Sequence, residues 1–560
     1  MRLQKVRLQI LLVAVVAMLA GLVGSATPTV SAAPPAQSTL SRSKLNWKPC
    51  YRESGYPFEC ATIRVPLNYS RPNGSKITIA MARLPASDPA RKIGSLFLNP
   101  GGPGGSGVDF VVGIGPFLYS DEVRARFDLI GFDPRGIARS TPLRCYPTTE
   151  DAIADTAPVA FPVTATDIEL WQQSNQALVE ACDRRAGRII DNMSTADVAR
   201  DMDLMRQAVG DSGLTFAGYS YGSYLGAVYA NLFPDKVRAV VVDGVLDPIE
   251  WSTSTGGTGT TVPFTARIRS AAGAQATLNE FFRLCDAGGA NCAFSGNSAA
   301  RFAALASRLR ANPLPITLAD GSTVLFTYDL LIANALNAMY SSFSWPSFAQ
   351  FLAAIESLAI PAAERGARLE ALWEAIGLKK VRDPEYQNVV EGFPGVACAD
   401  STNPSSFAAW PPAAAAAEQQ DGYFGPLWVW LSSICSEWPG SQASRYTGAF
   451  TARTANPVLV VGTRYDPATR YEGAQILNGL LPNSALLTVE GWAHTSLFLS
   501  QCADAAISRY LVEGVPPASG TVCTQDVTPF AQAPRIASNS GLRALVNETL
   551  IPSQVKGKKK

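Results

Sequence analysis

Gly218-Tyr219-Ser220-Tyr221-Gly222 fits the pattern G-x-S-x-G, in which a serine sits on a sharp turn between a strand and a helix. A short apolar run at 215–217 precedes it and a helical stretch at 223–232 follows, so the pattern stands in the setting that such a turn requires. The flanking glycines keep side chains out of a turn whose backbone torsions are strained. Gly226, one turn further on, leaves room for the helix to pack closely. A hydroxyl lifted clear of a sheet is a nucleophile for acyl transfer, provided that a base stands beside it. In a chain with 45 glycines the bland alternative is a chance pentapeptide, and the strand–turn–helix context speaks against it.

The chain has a single histidine, His494, in Gly491-Trp492-Ala493-His494, just past an apolar run at 485–489. A lone histidine is usually an ordinary surface or core residue. Here, any serine-based acyl transfer that needs an imidazole base must use this one. Asp466, in Gly462-Thr-Arg-Tyr-Asp466-Pro467, follows a strand-like run at 458–461. A carboxylate there can accept from imidazole Nδ1–H, fix the tautomer and stabilise imidazolium. Asp-Pro is also a common turn, and Asp243 and Asp247, behind an earlier run at 238–242, are rivals for the acid. Asp466 is preferred because its strand comes immediately before the one that leads to His494.

A second glycine-rich segment, Asn99-Pro-Gly-Gly-Pro-Gly-Gly-Ser-Gly107, follows the run 95–98. Backbone N–H groups in such a loop can approach a developing oxyanion, which is worth several kcal/mol of transition-state stabilisation. The expected donors are the N–H of Tyr221, next to the nucleophile, and that of Gly102 in this loop. Gly102-Pro-Gly104-Gly-Ser-Gly107 also satisfies the dinucleotide fingerprint G-x-G-x-x-G, with Asp133 ending the next strand. The proline removes an N–H that would face phosphate, and other strands precede this one, so that reading is set aside. Asp133-Pro134-Arg135-Gly136 ends the run 127–132 on the same sheet edge, and a structural Asp/Arg network is its expected role.

These residues need a frame to hold them. The chain of 560 residues is long enough for one large domain with a sizeable insertion, and 47% hydrophobic residues exclude disorder over most of it. A net charge of +1 gives no field for nucleic acid, and Lys556-Gly557-Lys558-Lys559-Lys560 reads as a solvated tail. Apolar runs at 95–98, 127–132, 215–217 and 238–242, separated by helical stretches at 195–209 and 223–232, predict a mostly parallel α/β sheet. Shorter β-rich runs at 61–65 and 76–83 come before it. From about 267 to 450 the period turns helical, and six of the ten tryptophans fall there: Trp345, Trp373, Trp410, Trp428, Trp430 and Trp438. Segments 44–250 and 456–530 thus read as one core split by a mainly helical cap at 251–455.

Residues 1–32 read as a signal peptide, with Arg2, Lys5 and Arg7 ahead of an apolar stretch too short for a membrane span. A linker at 33–43 follows, and a tail occupies 531–560. Secretion, or retention at the cell envelope, is the expectation, with no stable membrane insertion after cleavage. Ten cysteines agree with export. Neighbours in sequence are close enough to pair: Cys50 with Cys60, Cys145 with Cys182, Cys285 with Cys292, Cys398 with Cys435, and Cys502 with Cys523. Connectivity does not follow from spacing alone. Zinc is the alternative, but no Cys-x-x-Cys occurs and the one histidine is engaged elsewhere.

Taken together, these segments resemble the secreted tripeptidyl aminopeptidases of actinobacteria, relatives of the prolyl aminopeptidases. The resemblance spans nearly the whole mature chain. It rests on Trp47-x-x-Cys50, Cys60-Ala-Thr, Val65-Pro-Leu-Asn-Tyr69, the 99–107 loop, Asp133-Pro-Arg-Gly136, Gly218-Tyr-Ser-Tyr-Gly222 and Asp466-Pro-Ala-Thr469. Where the family usually continues with proline after that threonine, this chain has Arg470. The resemblance implies an α/β-hydrolase fold and release of short peptides, typically tripeptides, from free N-termini. It also implies acidic groups near the cap that hold the substrate ammonium; Asp400, two residues after Cys398 where a disulfide would hold it in place, is the candidate, and Glu374, beside Trp373, is its rival. A peptide or a small ester is the expected substrate, and the chemistry calls for no metal or organic cofactor. A carboxylesterase or lipase with the same triad, and a non-catalytic binding protein on the same scaffold, are the alternatives.

Overall fold

The computed structural model describes residues 45–317, 323–358, 386, 388 and 390–531. The signal segment 1–32, the linker 33–43, Glu374, Trp373 and the basic C-terminal end lie outside the described residues.

Runs of β-branched and aliphatic residues form the strands: β1 (Lys48–Pro49), β2 (Glu59–Pro66), β3 (Lys76–Leu84), β4 (Gly94–Asn99), β5 (Phe127–Phe132), β6 (Leu214–Tyr219), β7 (Val237–Asp243), β8 (Leu314–Thr317), β9 (Thr323–Phe326), β10 (Val458–Tyr465), β11 (Ser484–Trp492) and β12 (Val522–Thr524). Ten of them make one sheet in the order β1-β2-β3-β5-β4-β6-β7-β10-β11-β12, and β8 pairs with β9 in a separate hairpin. The pairings β1–β2, β2–β3 and β3–β5 are antiparallel. Every pairing from β5 to β12 is parallel.

Central strands are buried on both faces, as a parallel sheet requires, so their side chains alternate between two apolar layers. In β7, Val240 and Val242 join Met202 and Leu225 in one layer. Ala239 and Val241 join Val108 and Ile507 in the other. The principal helices are α1 (Gly107–Ile114), α2 (Ala165–Arg185), α3 (Thr195–Val209), α4 (Tyr221–Leu232), α5 (Ser270–Gly288), α6 (Tyr328–Met339), α7 (Gly392–Asp400), α8 (Tyr471–Leu480) and α9 (Gln501–Glu513), and all but α5 and α6 contribute to these two layers. Helices α3, α4 and α8 cover one face, and α1 and α9 the other. Side chains cap several of them: Thr164 and Asp167 form a capping box on α2, and Ser194 accepts from the Asp197 amide at the start of α3.

Between β7 and β10 the described elements are helical apart from the β8–β9 hairpin. They enclose their own apolar core around Phe281, Trp345, Trp410, Trp428 and Trp430. Those tryptophans fill the cap and do not line the site. The Cys50–Cys60, Cys145–Cys182, Cys285–Cys292, Cys398–Cys435 and Cys502–Cys523 bridges are all formed, with Cα separations from 4.2 to 5.8 Å. Helix α2 was not anticipated from the sequence. Only Leu178, Ala181 and Cys182 of its 21 residues are buried, too few to give a clear apolar period.

Candidate active site

Because the strands are parallel, the loops at their C-termini gather along one sheet edge. Ser220 stands there between β6 and α4, half-buried, with φ 56° and ψ −124°. That left-handed φ is strained for any residue but glycine, and the surroundings hold it in place. A Cβ on Gly218 would meet the Gly222 carbonyl at 2.1 Å, and one on Gly226 would meet Val242 Cγ1 at 2.7 Å. Both glycines are therefore needed for α4 to turn back against the sheet. The Ser220 N–H donates to the Asp243 carbonyl at 2.9 Å, which ties the turn to the end of β7.

Asp466, at the end of β10, is fully buried, while the His494 side chain keeps 12% of its surface exposed. His494 Nδ1 lies 2.9 Å from Asp466 Oδ1 and 3.1 Å from Oδ2. Four protein donors fix that carboxylate: the Ala468, Thr469 and Thr495 amides at 2.8–2.9 Å and the Thr469 hydroxyl at 2.9 Å. An acceptor on this side puts the imidazole proton on Nδ1 and leaves Nε2 as the basic nitrogen. The cap also grips the histidine. The His494 N–H donates to the Tyr340 carbonyl at 3.0 Å, and the two rings meet edge to face at 4.9 Å.

The rival acids have other duties. Asp243 accepts from the Ser496 amide at 3.0 Å and the Ser496 hydroxyl at 2.7 Å, and burial pushes its carboxyl up to about 7. Asp247 accepts from the Ile249 and Glu250 amides at the start of the helix Pro248–Ser252. Neither touches the imidazole by any bond of the described residues.

Tyr221 opens α4, so its N–H has no partner within the helix. The 99–107 loop lies flat on this turn. A Cβ on Gly101, whose φ is +93°, would come within 2.4 Å of the Tyr219 carbonyl and 2.8 Å of Ser220 Cβ. The Gly101 N–H is spent on Asn99 Oδ1 at 3.0 Å, which leaves Gly102 as the next donor along the loop. The dinucleotide reading finds no support here. Gly104 abuts Gly392 and Phe393 of the cap, and Asp133 accepts from the Val108 and Arg139 amides beside the start of α1. Arg135, fully buried, makes a two-point pair with Asp201 at 2.7 Å and donates to the carbonyls of Pro66 and Leu67. That segment is structural.

Asp400 stands differently from the expected ammonium ligand. It is fully buried, and its two oxygens accept from the Thr195 amide at 2.8 Å and the Thr195 hydroxyl at 2.5 Å. No open face remains for a substrate ammonium. Asp400 lies two residues after Cys398, and the Cys398–Cys435 bridge holds it inside the wall behind the nucleophile instead of at the cleft. Among the described residues no group of three or more His, Cys, Asp or Glu is placed to hold a metal.

Residues 94–282 match the α/β hydrolase fold family, and residues 421–523 match the family of TAP-like proteins. Carboxylesterase B of Mycobacterium tuberculosis (strain ATCC 25618 / H37Rv) is 31% identical over 488 residues, covering 83% of this chain and 86% of the relative. The chain belongs to the tripeptidyl-aminopeptidase-like family of α/β-hydrolases. Serine protease Hip1 of the same organism is 29% identical, with 86% of this chain and 91% of the relative covered. Tripeptidyl aminopeptidase of Streptomyces lividans is 27% identical, with 88% and 89% covered.

For this hydrolase, sequence reasoning passed over Thr469, Tyr340 and Thr195. Thr469 stood inside the quoted Asp466-Pro-Ala-Thr469 segment, and its spacing of three from the acid is that of a side chain folding back on a turn. Tyr340 and Thr195 carry no such signal, because their contacts span 154 and 205 residues of chain (494 − 340 and 400 − 195).

Proposed function

We propose that this hydrolase is a serine exopeptidase that releases short peptides, in the first place tripeptides, from free N-termini. The observation that carries the reading is the Asp466–His494 contact on a loop that Asp243 ties, through Ser496, to the strained Ser220 turn, in a family that includes tripeptidyl aminopeptidases. In this mechanism His494 Nε2 takes the Ser220 proton as Oγ bonds to the substrate carbonyl carbon. The Tyr221 and Gly102 N–H groups stabilise the oxyanion. His494 then gives its proton to the leaving amine as the C–N bond breaks, and water, activated by the same imidazole, hydrolyses the acyl-enzyme. Asp466 keeps the tautomer and offsets the imidazolium charge.

The cap supports an exopeptidase over an endopeptidase. It contacts the histidine loop through Tyr340 and the glycine loop at Gly392, an arrangement that favours entry of a free chain end over passage of a long chain. Five disulfides favour an oxidising compartment, which supports secretion or residence at the cell envelope. No helix among the described residues is long and apolar enough to cross a membrane.

The second reading is a carboxylesterase with the same triad, favoured by the 31% identity to Carboxylesterase B. The comparison that separates them is kcat/KM on a free-amino tripeptide anilide, its N-acetylated form and a short acyl ester. The exopeptidase reading expects the free peptide to be preferred over its blocked form by about 100-fold or more, the scale of losing a charged hydrogen-bonded contact. Equal cleavage of both peptides overturns it, and turnover of the ester alone supports the second reading.

A further inference from the structure

Helix α7 belongs to the cap, yet it meets both halves of the oxyanion machinery. At its start, a Cβ on Gly104 of the glycine loop would lie 3.3 Å from the Gly392 carbonyl carbon and the Phe393 nitrogen. At its end stands Asp400, a fully buried carboxyl. Burying such a group is costly unless its oxygens are bonded, and both are taken by Thr195. The chain of bonds continues, because the Thr195 hydroxyl is also hydrogen-bonded to the Tyr221 phenol. Thr195 has one hydroxyl proton. When it donates to Asp400, the phenol must donate to Thr195, so one direction runs from Tyr221 through Thr195 to the carboxylate. Trp251 packs on Tyr221 with ring centres 5.5 Å apart and closes the other side. Arg445 is the cation that faces Asp400.

We propose that Asp400 is a positioning residue for the oxyanion hole. Through Thr195 and the Tyr221 phenol it fixes the first turn of α4, and with it the backbone N–H that follows the nucleophile. Asp400 touches no substrate. It sets where a donor points, so it acts on the transition state more than on the bound substrate. The same carboxylate stands at the N-terminus of α3, where its charge is favourable, and a capping role alone would explain its burial. The two roles are separable because the phenol bond contributes nothing to the cap.

This inference rests on the acyl-enzyme reading, and the experiment keeps the two apart. The full chain and its Tyr221→Phe, Asp400→Asn and double variants are each tested for fluorophosphonate labelling. Each is then assayed for kcat and KM on a short p-nitrophenyl ester and for inhibition by an alkyl boronic acid, which mimics the tetrahedral adduct. A lost oxyanion donor costs about 100- to 1,000-fold in kcat, so a loosened one is expected to cost about tenfold. Tyr221→Phe should lower kcat and boronate affinity by about that factor, with KM held within about twofold and the melting temperature unchanged. Asp400→Asn should do the same, and the double variant should be no worse than either, as for one shared chain. If Asp400→Asn does not fold, Tyr221→Phe decides alone. A labelled wild type whose Tyr221→Phe variant keeps its kcat and boronate affinity overturns the inference and spares the mechanism. An unlabelled wild type overturns both.

Discussion

The carbonyl oxygen of Asp243 accepts the Ser220 amide at 2.9 Å, while the carboxyl of the same residue holds Ser496, two positions past His494. One buried residue thus sets the spacing between the nucleophile turn and the histidine loop. Replacing it with alanine leaves the Ser496 amide and hydroxyl buried without partners, which costs about 1–3 kcal/mol for each orphaned group. Asp243→Ala is expected to lose stability on that scale and at least tenfold in kcat. Urea unfolding and steady-state kinetics check both.

Asp243 also predicts a pH effect of definite sign. Burial raises its folded carboxyl from the ordinary 3.8 to about 7, so the folded state binds the proton more tightly than the unfolded chain does. Its contribution to stability is fully present below the ordinary carboxylate range, falls as pH rises through the window up to about 7, and is constant above. Asp243→Asn removes that fall. The stability difference between wild type and variant should therefore change with pH by up to about 1.4 kcal/mol per unit within the window. Profiles that stay parallel from acid to neutral pH contradict the assignment.

Thr469 tests the acid. Its hydroxyl donates to Asp466 Oδ2 at 2.9 Å and lies 3.4 Å from His494 Nδ1. Thr469→Val keeps the shape and removes the donor, so kcat is expected to fall about three- to tenfold with KM little changed. Asp466→Asn should cost about 10,000-fold, because it favours the wrong tautomer of the histidine. A Thr469→Val loss as large as that of Asp466→Asn would mean that the threonine itself handles a proton.

Two glycines in adjoining segments should answer differently to the same substitution. Gly101→Ala places a methyl 2.8 Å from Ser220 Cβ at a φ of +93° and should abolish measurable turnover. Gly113→Ala, on an exposed turn of α1, meets nothing within 4 Å. It should leave activity intact and raise stability by up to about 1 kcal/mol through helix propensity. Comparable activities for the two variants would place the glycine loop elsewhere.

The disulfides differ in the length of chain they close. Cys145–Cys182 spans 37 residues and Cys285–Cys292 spans 7. On the loop-entropy account, removing the first should cost about 1.5 kcal/mol more than removing the second. Paired serine variants compared in urea measure that difference, and a larger loss from the short bridge would favour an enthalpic origin.

Much of this site is local in sequence, which is why it was legible. Ser220, Asp466 and His494 each follow an apolar strand, and the strand edges place them at one end of the sheet. The single histidine left no competitor for the base. The cap was legible as a change of period, and Trp345, Trp410, Trp428 and Trp430 fill its own core. Asp400 shows the boundary. Its type and its nearness to Cys398 suggested a charge open to substrate, whereas its environment is set by Thr195, which lies 205 residues earlier in the chain (400 − 195). Whether a carboxylate faces a cleft or a helix N-terminus depends on packing between distant elements, and periodicity carries no record of that. Helix α2 was missed for a related reason, since it buries too little to impose a period.

In the proposed mechanism one serine and one histidine carry the reaction. Peptide mapping by mass spectrometry after fluorophosphonate treatment of the folded chain tests it most directly. The account predicts a single adduct on Ser220, absent from Ser220→Ala and formed at least 1,000-fold more slowly in His494→Ala, on the scale of losing a triad base. An adduct on another residue, or undiminished labelling of Ser220→Ala, would contradict it.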